Sequence, residues 1–506
     1  MKINERCRAY TEMDRKWRVT RALRGGTEAM REAGREFLHQ FPKEDDRTYE
    51  ARLKCSYLFN GYSDAVRRLV SKPFQKPVEI VGIDDLPAEM QALKKNADGC
   101  GRSITRLARE VFESAIDFGL SHVFVDVAAG PQSNPRPYFI HIPADRLIWW
   151  ETQRSAQGLK RLSLVRWIEM REEVVDGKLK TVEYVREVTT RDWALFREKD
   201  GKFQPVPLVI GGRELDRVPH SFGAERDPFT GEILTFATDD GGRIMRDDEG
   251  RRFPDPDGAT AGGEIPLATM YTNQTGFMTA EPPLIDLADE NLRHWNIQSD
   301  TDKYARFARV GGHFFAGMSA KEFQAMMGTW AAGMSGHSQD SKVTHFPVEA
   351  QGRAFEVGRV QLQDSESRMR MLGAQPLTER LSGPSETAQG KRLNEARHQS
   401  DLHAWVGECN DMLTSAGRMA ARWRDEEDQL PEEFNIRAFS EFQTLAGDYE
   451  GLRLLLESRN GIRPVVSDQT IFRRFQQYGI LPETLDPEAE QALIRQEMLV
   501  DQGIVD

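Results

Sequence analysis

The stretch GPSETAQGKR, residues 383–392, has the ingredients of a phosphate cradle: two glycines, small hydroxyl residues, and a Gly-Lys pair ahead of a helical run. Its spacing departs from the nucleotide-binding loop. Six residues separate Gly383 from Gly390 where that loop has four, and Arg392 stands where a Ser or Thr would hold magnesium. Asp255-Pro256-Asp257-Gly258 sets carboxylates beside a glycine but lacks the alternating ligands and distal Glu of a calcium loop. The ten histidines contain no H-E-x-x-H, and His398 and His403 lie five apart rather than the four that would align them on one helix edge. His294, next to Trp295, is expected to pack or lie at the surface rather than to catalyse. Cys7, Cys55, Cys100 and Cys409 are far apart, form no C-x-x-C pair, and read as structural thiols of a reducing compartment. The sequence thus offers no catalytic residue, no metal ligand set and no cofactor site.

Composition narrows the classes further. The 506 residues hold about three domains' worth of chain and enough apolar residues for a sizeable core. With 68 basic and 80 acidic residues the net charge is -12, which argues against gripping nucleic acid over a broad basic face but suits a surface that lets a polyanion pass. The first residues, MKINERCRAYTEMDRKW, contain no apolar leader, and no run approaches the roughly 20 apolar residues of a membrane span. Synthesis in the cytosol and no membrane contact are expected.

The elements that would position any site follow from periodicity. Residues from about 27 to 70 read as helical up to KPFQKP, and ITRLAREVFESAIDFG reads as a helix closed by Gly119. SHVFVDV, RPYFIHI, RLIWW, LSLVRWIEMREEV and KTVEYVREVTTRDWALFRE read as strands with a turn at DGK, making residues 121–209 a small α+β region. Residues 211–263, rich in Gly, Asp, Arg and Pro, read as a loop-rich insertion or hairpin. LIDLADENLRHWNIQSDTDKYARFARVG, residues 284–311, reads as one long helix: acidic at its start (Asp286, Asp289, Glu290), basic at its end (Arg306, Arg309), and stopped by Gly311-Gly312. Its apolar face, Leu284, Ala288, Leu292 and Trp295, fails at Gln298 to Asp302 and resumes at Tyr304. A Gly- and Met-rich segment follows, then KVTHFPVEA and AFEVG as strands, SESRMRMLGAQPL as a short helix, SGPSETAQG as a loop, and a long helix from Lys391. The remaining text is helical.

Several of these blocks, in this order, resemble the tailed-phage portal proteins, the head-to-tail connectors, of the podovirus type. They are FPKEDDRTYEARLKCSYLFNGYSDAVRRLVSKPFQKP, IDFGLSHVFVDV with RPYFIHIPADRLIWW, EIPLATMY with PPLIDLADENLRHWNIQSD, and MRMLGAQPL with SETAQGKR. Departures are Trp295, where a Tyr is usual, and the long insertion at 211–263. The resemblance implies an α+β portal fold: N-terminal helices and an α/β wing over 1–283, a stem helix at 284–310, a small α/β clip at 311–363 and a second stem helix at 364–378. A tunnel loop and long wing helix at 379–433 and a C-terminal helical crown at 434–506 complete it.

It also implies a homo-dodecameric ring at the capsid portal vertex of the virion, assembled in the host cytoplasm, through which double-stranded DNA is packaged and ejected. The partners would be the terminase packaging motor, the tail adaptor, and the major capsid and scaffolding proteins. Twelve stem helices at about 10 Å spacing enclose a radius near 19 Å, wide enough for a duplex roughly 20 Å across. On this reading Asp286, Glu290, Arg306 and Arg309 belong to the stem wall, and its polar stretch faces a wet channel. Arg380, Lys391 and Arg392 meet phosphate at the tunnel loop, and Phe314 and Met327 make clip contacts to a neighbour or the motor. The competing readings are a soluble helical scaffold or adaptor and, more remotely, a nuclease, which would need clustered carboxylates with Lys or His in a pocket.

Overall fold

The computed structural model describes residues 2–440 except 84–85, 128–135, 155–157, 176, 211–212, 221, 224–233, 237–258, 261–262, 311, 318, 328–333, 339–343, 349–351, 375–387 and 425. Beyond 440 it describes 467–477 and 490. The fold is mixed α+β, and the chain divides into two compact units, Met1–Ala438 and Phe439–Asp506.

Helix α1 (Arg8–Ala33) starts well before the expected residue 27, because the Cys7 side chain accepts from the Tyr10 N–H and Tyr10, Met13 and Trp17 then recur on one buried face. The stretch expected to run as helix to Val70 is broken by two new N-caps. Asp45 opens α2 (Asp46–Cys55) and Asn60 opens α3 (Gly61–Ser71), each accepting from a backbone N–H three residues on. After β1 (Glu79–Val81) and α4 (Ala88–Gln91), Ser103 caps α5 (Ile104–Phe118), which ends at left-handed Gly119 (φ 89°) as expected. Burial raises the α5 residue Asp117 to about 6 even though the Arg24 guanidinium lies 2.9 Å away.

The strands follow: β2 (Leu120–Val127), β3 (Pro137–Pro143), β4 (Leu147–Arg154), β5 (Lys160–Val175), β6 (Lys178–Thr189), β7 (Asp192–Lys199) and β8 (Lys202–Pro205). Next come β9 (Leu208–Ile210), β10 (Arg213–Leu215), β11 (Val218–Pro219), β12 (Thr235–Phe236), β13 (Ala259–Thr260), β14 (Leu267–Tyr271), β15 (Gln274–Gly276) and β16 (Thr279–Ala280). Strands β14, β2 and β3 form one antiparallel sheet; β11, β7, β6, β5 and β4 form a larger one, with β8 paired on β7. The two sheets face each other across Phe124, Ile142 and Leu267 on one side and Val165, Trp167 and Val188 on the other. Trp17 and Tyr10 of α1 fill a second core against Ile148 and Val185. Gly177 and the Asp200-Gly201 pair have positive φ, as the two DGK turns require. The described part of the 211–263 insertion consists of short strands, among them β11 on the edge of the large sheet and the β12–β13 pair.

Helix α6 (Ile285–Val310) is the long continuous helix expected from the sequence. It leads into β17 (Gly312–Ala316), α7 (Ala320–Met327), β18 (Met334–Ser338) and β19 (Thr344–Val348), a three-stranded sheet in the order β18-β17-β19 with β17 parallel to β18. The expectation of a strand at AFEVG fails: those residues open α8 (Gly352–Ala374), which takes in residues 365–374 of the short helix expected at SESRMRMLGAQPL, the last three of which lie outside the described residues. Helix α9 (Ala388–Trp423) begins slightly before Lys391 and runs as expected, burying Leu402, Val406, Cys409, Leu413, Ala416 and Ala420 at helical spacing. Strand β20 (Asn435–Arg437) pairs with β1, so this segment belongs to the first unit rather than to a C-terminal crown starting at 434. In the second unit the described helix is α10 (Asp468–Gln477).

Of the cysteines, Cys409 is buried as a structural thiol should be, whereas Cys55 and Cys100 are exposed. Among the described residues no helix is long and apolar enough to cross a membrane.

Candidate functional site

The distinctive construction is the pair α6 and α8, joined through the small α/β unit. The pair is antiparallel: Gly358 lies against Thr301, Ser365 against Glu290, and Gly373 against Leu287. At Gly373 a Cβ would stand 2.9 Å from the Ala65 Cβ of α3, and at Gly358 one would stand 2.8 Å from the Thr301 hydroxyl, so the absence of side chains sets the close helix spacing. Between the helices the Ser365 hydroxyl donates to Glu290 at 2.6 Å. His294 lies fully buried against the Phe59 ring, with Glu366 3.9 Å from its Nε2. Burial pushes the His294 imidazole down, against the pull of Glu366 and Glu290, so it stays neutral at neutral pH.

The polar stretch of α6 has partners in its own chain. Residues 284, 287, 288, 291, 294, 295 and 299 form the buried stripe, so the stripe passes through Asn291 and Ser299 rather than through half-buried Leu292. Asn291 donates to the Phe59 carbonyl at 2.8 Å and accepts from the Tyr62 N–H at 2.9 Å, satisfying one of the free donors at the start of α3. Asn296 donates to the Phe37 carbonyl, and Ser299 accepts from Arg52 and from Ser56. Arg52 holds Glu44 through two hydrogen bonds of 3.0 and 2.8 Å, while Lys303 of α6 reaches the same carboxylate at 3.1 Å. Burial opposes ionisation of Glu44, but these donors outweigh it and hold the carboxyl below its ordinary value. Within the interruption at Gln298 to Asp302, Ser299 is thus buried against Arg52 and Ser56 of this chain, while Asp300 and Asp302 remain exposed.

The expected site residues fall as follows. Asp286 is exposed at the start of α6, and Glu290 is turned towards α8. Arg306 and Arg309 occupy the last turns of α6, Phe314 lies in β17 opposite Phe346 and Gly336, and Met327 ends α7; their side chains lie outside the described residues. Lys391 and Arg392 are in the first turns of α9 rather than in a loop, their side chains also outside the described residues, and Arg380 lies outside them altogether. Sequence reading missed Glu44, Arg52, Asn291 and Ser299. The available signal was that Asn291 and Ser299 continue the spacing of Leu284, Ala288 and Trp295, which marks polar residues at core positions.

A second set of buried polar groups makes stability depend on pH. In the β2–β3–β14 sheet, His122 bonds Thr269 and His141 bonds Ser121, each at 2.9 Å. Burial pushes His122 down to about 3 and His141 down to about 4. Folded values below the unfolded 6.5 mean that the unfolded chain binds more protons in this window. The stabilisation is complete above about pH 6.5 and falls as pH drops towards 4, by up to about 1.4 kcal/mol per pH unit for each histidine. Thermal unfolding followed from neutral pH to about pH 4 should show a falling midpoint, and His141→Gln should flatten the slope. An unchanged slope in that variant would refute the buried-neutral assignment.

Comparison with known proteins matches a family described as a domain of unknown function, DUF4055, to residues 283–424, from the start of α6 through α9. None of the curated proteins matches this chain. The chain is similar in structure to one in the virion of a native gene transfer agent (GTA) particle, at 10% identity and TM-score 0.37, covering 90% of this chain and 99% of that one. It is also similar to chains in the neck of the empty GTA particle with C6 symmetry (10% identity, TM-score 0.35) and of the native particle with C12 symmetry (11%, TM-score 0.32). Each of these two covers 83% of this chain and 90% of the other. Identities this low and TM-scores below 0.5 leave function to be argued from the chain's own residues.

Proposed function

We propose that the chain is a structural subunit of the head-to-tail region of a phage-like particle, and specifically the portal subunit, which closes into a ring through which double-stranded DNA is packaged and ejected. The observation that carries this reading is the antiparallel α6–α8 pair with its small α/β unit at one end, the arrangement of a stem pair carrying a clip. The ordered sequence blocks and the acidic net charge, which suits a conduit, support it. In this reading Arg380, Lys391 and Arg392 approach phosphate where α9 begins, Asp286, Arg306 and Arg309 line the stem, and Phe314 and Met327 serve the clip. The terminase motor, tail adaptor, capsid and scaffolding proteins are its partners.

A ring neighbour would cover apolar surface that the subunit leaves open. On α8, Val357, Val360 and Met371 are exposed at helical spacing. Beyond the core the β5–β6 ribbon exposes Met170, Val174 and Leu179 on one face, the register pairing Val174 with Leu179. Light scattering of the purified chain should give a mass near twelve times 57.6 kDa. Val357→Asp combined with Val360→Asp should shift the particle to monomer with an unchanged circular dichroism spectrum. A wild-type chain that is monomeric at every concentration would overturn the reading.

A further inference from the structure

We propose that residues 37–56 are a releasable strap across the middle of α6, latched by the Glu44 carboxylate between Arg52 of the strap and Lys303 of α6. The observations concern how the strap is held. Its hydrogen bonds and ion pairs with α6 are His39 N–H to the Asn296 side chain, the Asn296 amide to the Phe37 carbonyl, Arg52 and Ser56 to Ser299, Arg52 to Asp300, and Lys303 to Glu44. On opening, each of these groups exchanges its partner for water, so the cost of release is set by the buried Leu38 and Tyr49 of the strap rather than by the polar contacts. Held closed, it is specific. The Glu44 side chain is 2% exposed, and both cations together with the Phe41 N–H favour its charged form there. The Arg52 guanidinium and the Lys303 ammonium also stack over the Phe41 ring at 4.9 and 5.4 Å, so one ring and one carboxylate register the strap against one turn of α6.

Opening would free Asn296, Ser299 and Lys303 on α6 while Asn291, bonded to the α3 start beyond the strap, keeps the helix docked. The strap is thus a two-position element on the helix that joins the wing to the α/β unit, and this holds whether or not the chain forms a ring.

Hydrogen exchange of the full chain, read by mass spectrometry at increasing low denaturant, tests it. In the wild type, amides of α2 should exchange through an opening of their own at denaturant concentrations where β2, β5 and β6 remain protected. Lys303→Met should speed exchange over residues 37–56 by at least about tenfold and leave the sheet unchanged, and Glu44→Gln should do so more strongly. Two results would overturn the proposal: α2 amides that exchange only together with the sheets, which would make the segment ordinary core, or no acceleration in either variant, which would mean that the carboxylate is not the latch.

Discussion

Asn291→Leu should destabilise the protein by on the order of 2–4 kcal/mol, although it places an apolar residue of similar size at a fully buried position. The reason is geometric. The Asn291 amide serves the Phe59 carbonyl and the Tyr62 N–H at once; leucine leaves the buried Tyr62 N–H without a partner, at about 1–3 kcal/mol, and removes one of the two donors of the Phe59 carbonyl, which keeps the Gly61 N–H, at about 0.5–1.5 kcal/mol. Leu292→Asn, one position along, should cost far less, because Leu292 is only half-buried. Chemical denaturation of the two variants separates them by midpoint. A larger loss for Leu292→Asn would restore the stripe read from the sequence and contradict the packing of α6 on α3.

That contrast marks where the sequence is legible. Helix α5 could be bounded in advance because both its signals are local: the Ser103 cap is followed by an apolar period, and Gly119 closes it. The β5–β6 and β7–β8 turns were equally local, resting on Asp-Gly pairs that tolerate positive φ. The meaning of the polar stretch in α6 was not, because Asn291 and Ser299 meet partners more than 200 residues earlier in the chain. A period in sequence identifies which side of a helix turns inward but not whether the inside is apolar.

The start of α8 failed for a related reason. Phe355 and Val357 have the composition of a strand, yet both remain exposed on a helix whose register is set by Gly358 lying on Thr301. Tertiary approach outweighed local preference. Helices α6 and α9 and the strands of the two large sheets could be read, whereas β17, β18, the start of α8 and the clamp at Glu44 and Arg52 could not.

Removing residues 312–350 and joining the helices with a short Gly-Ser linker should leave the subunit folded and abolish DNA packaging when the chain is tested in its particle. The folding half rests on the antiparallel pairing. Thr301 lies beside Gly358, so the end of α6 and the start of α8 emerge at the same end of the pair, about 8–10 Å apart, and a linker of about four residues spans that gap. Among the described residues β17, β18 and β19 pair only with one another, so no other sheet loses a strand. The His294, Glu290 and Ser365 contacts lie further along the pair and remain. The functional half rests on the proposed clip assignment: among the described residues β18 and β19 each leave one sheet edge unpaired, and an edge of that kind can add a strand from another chain. Circular dichroism and a melting curve check the first half, and packaged DNA per particle the second. Normal packaging by the folded deletion variant would dispose of the clip assignment, while a variant that fails to fold would show that the unit is integral to the stem rather than carried by it.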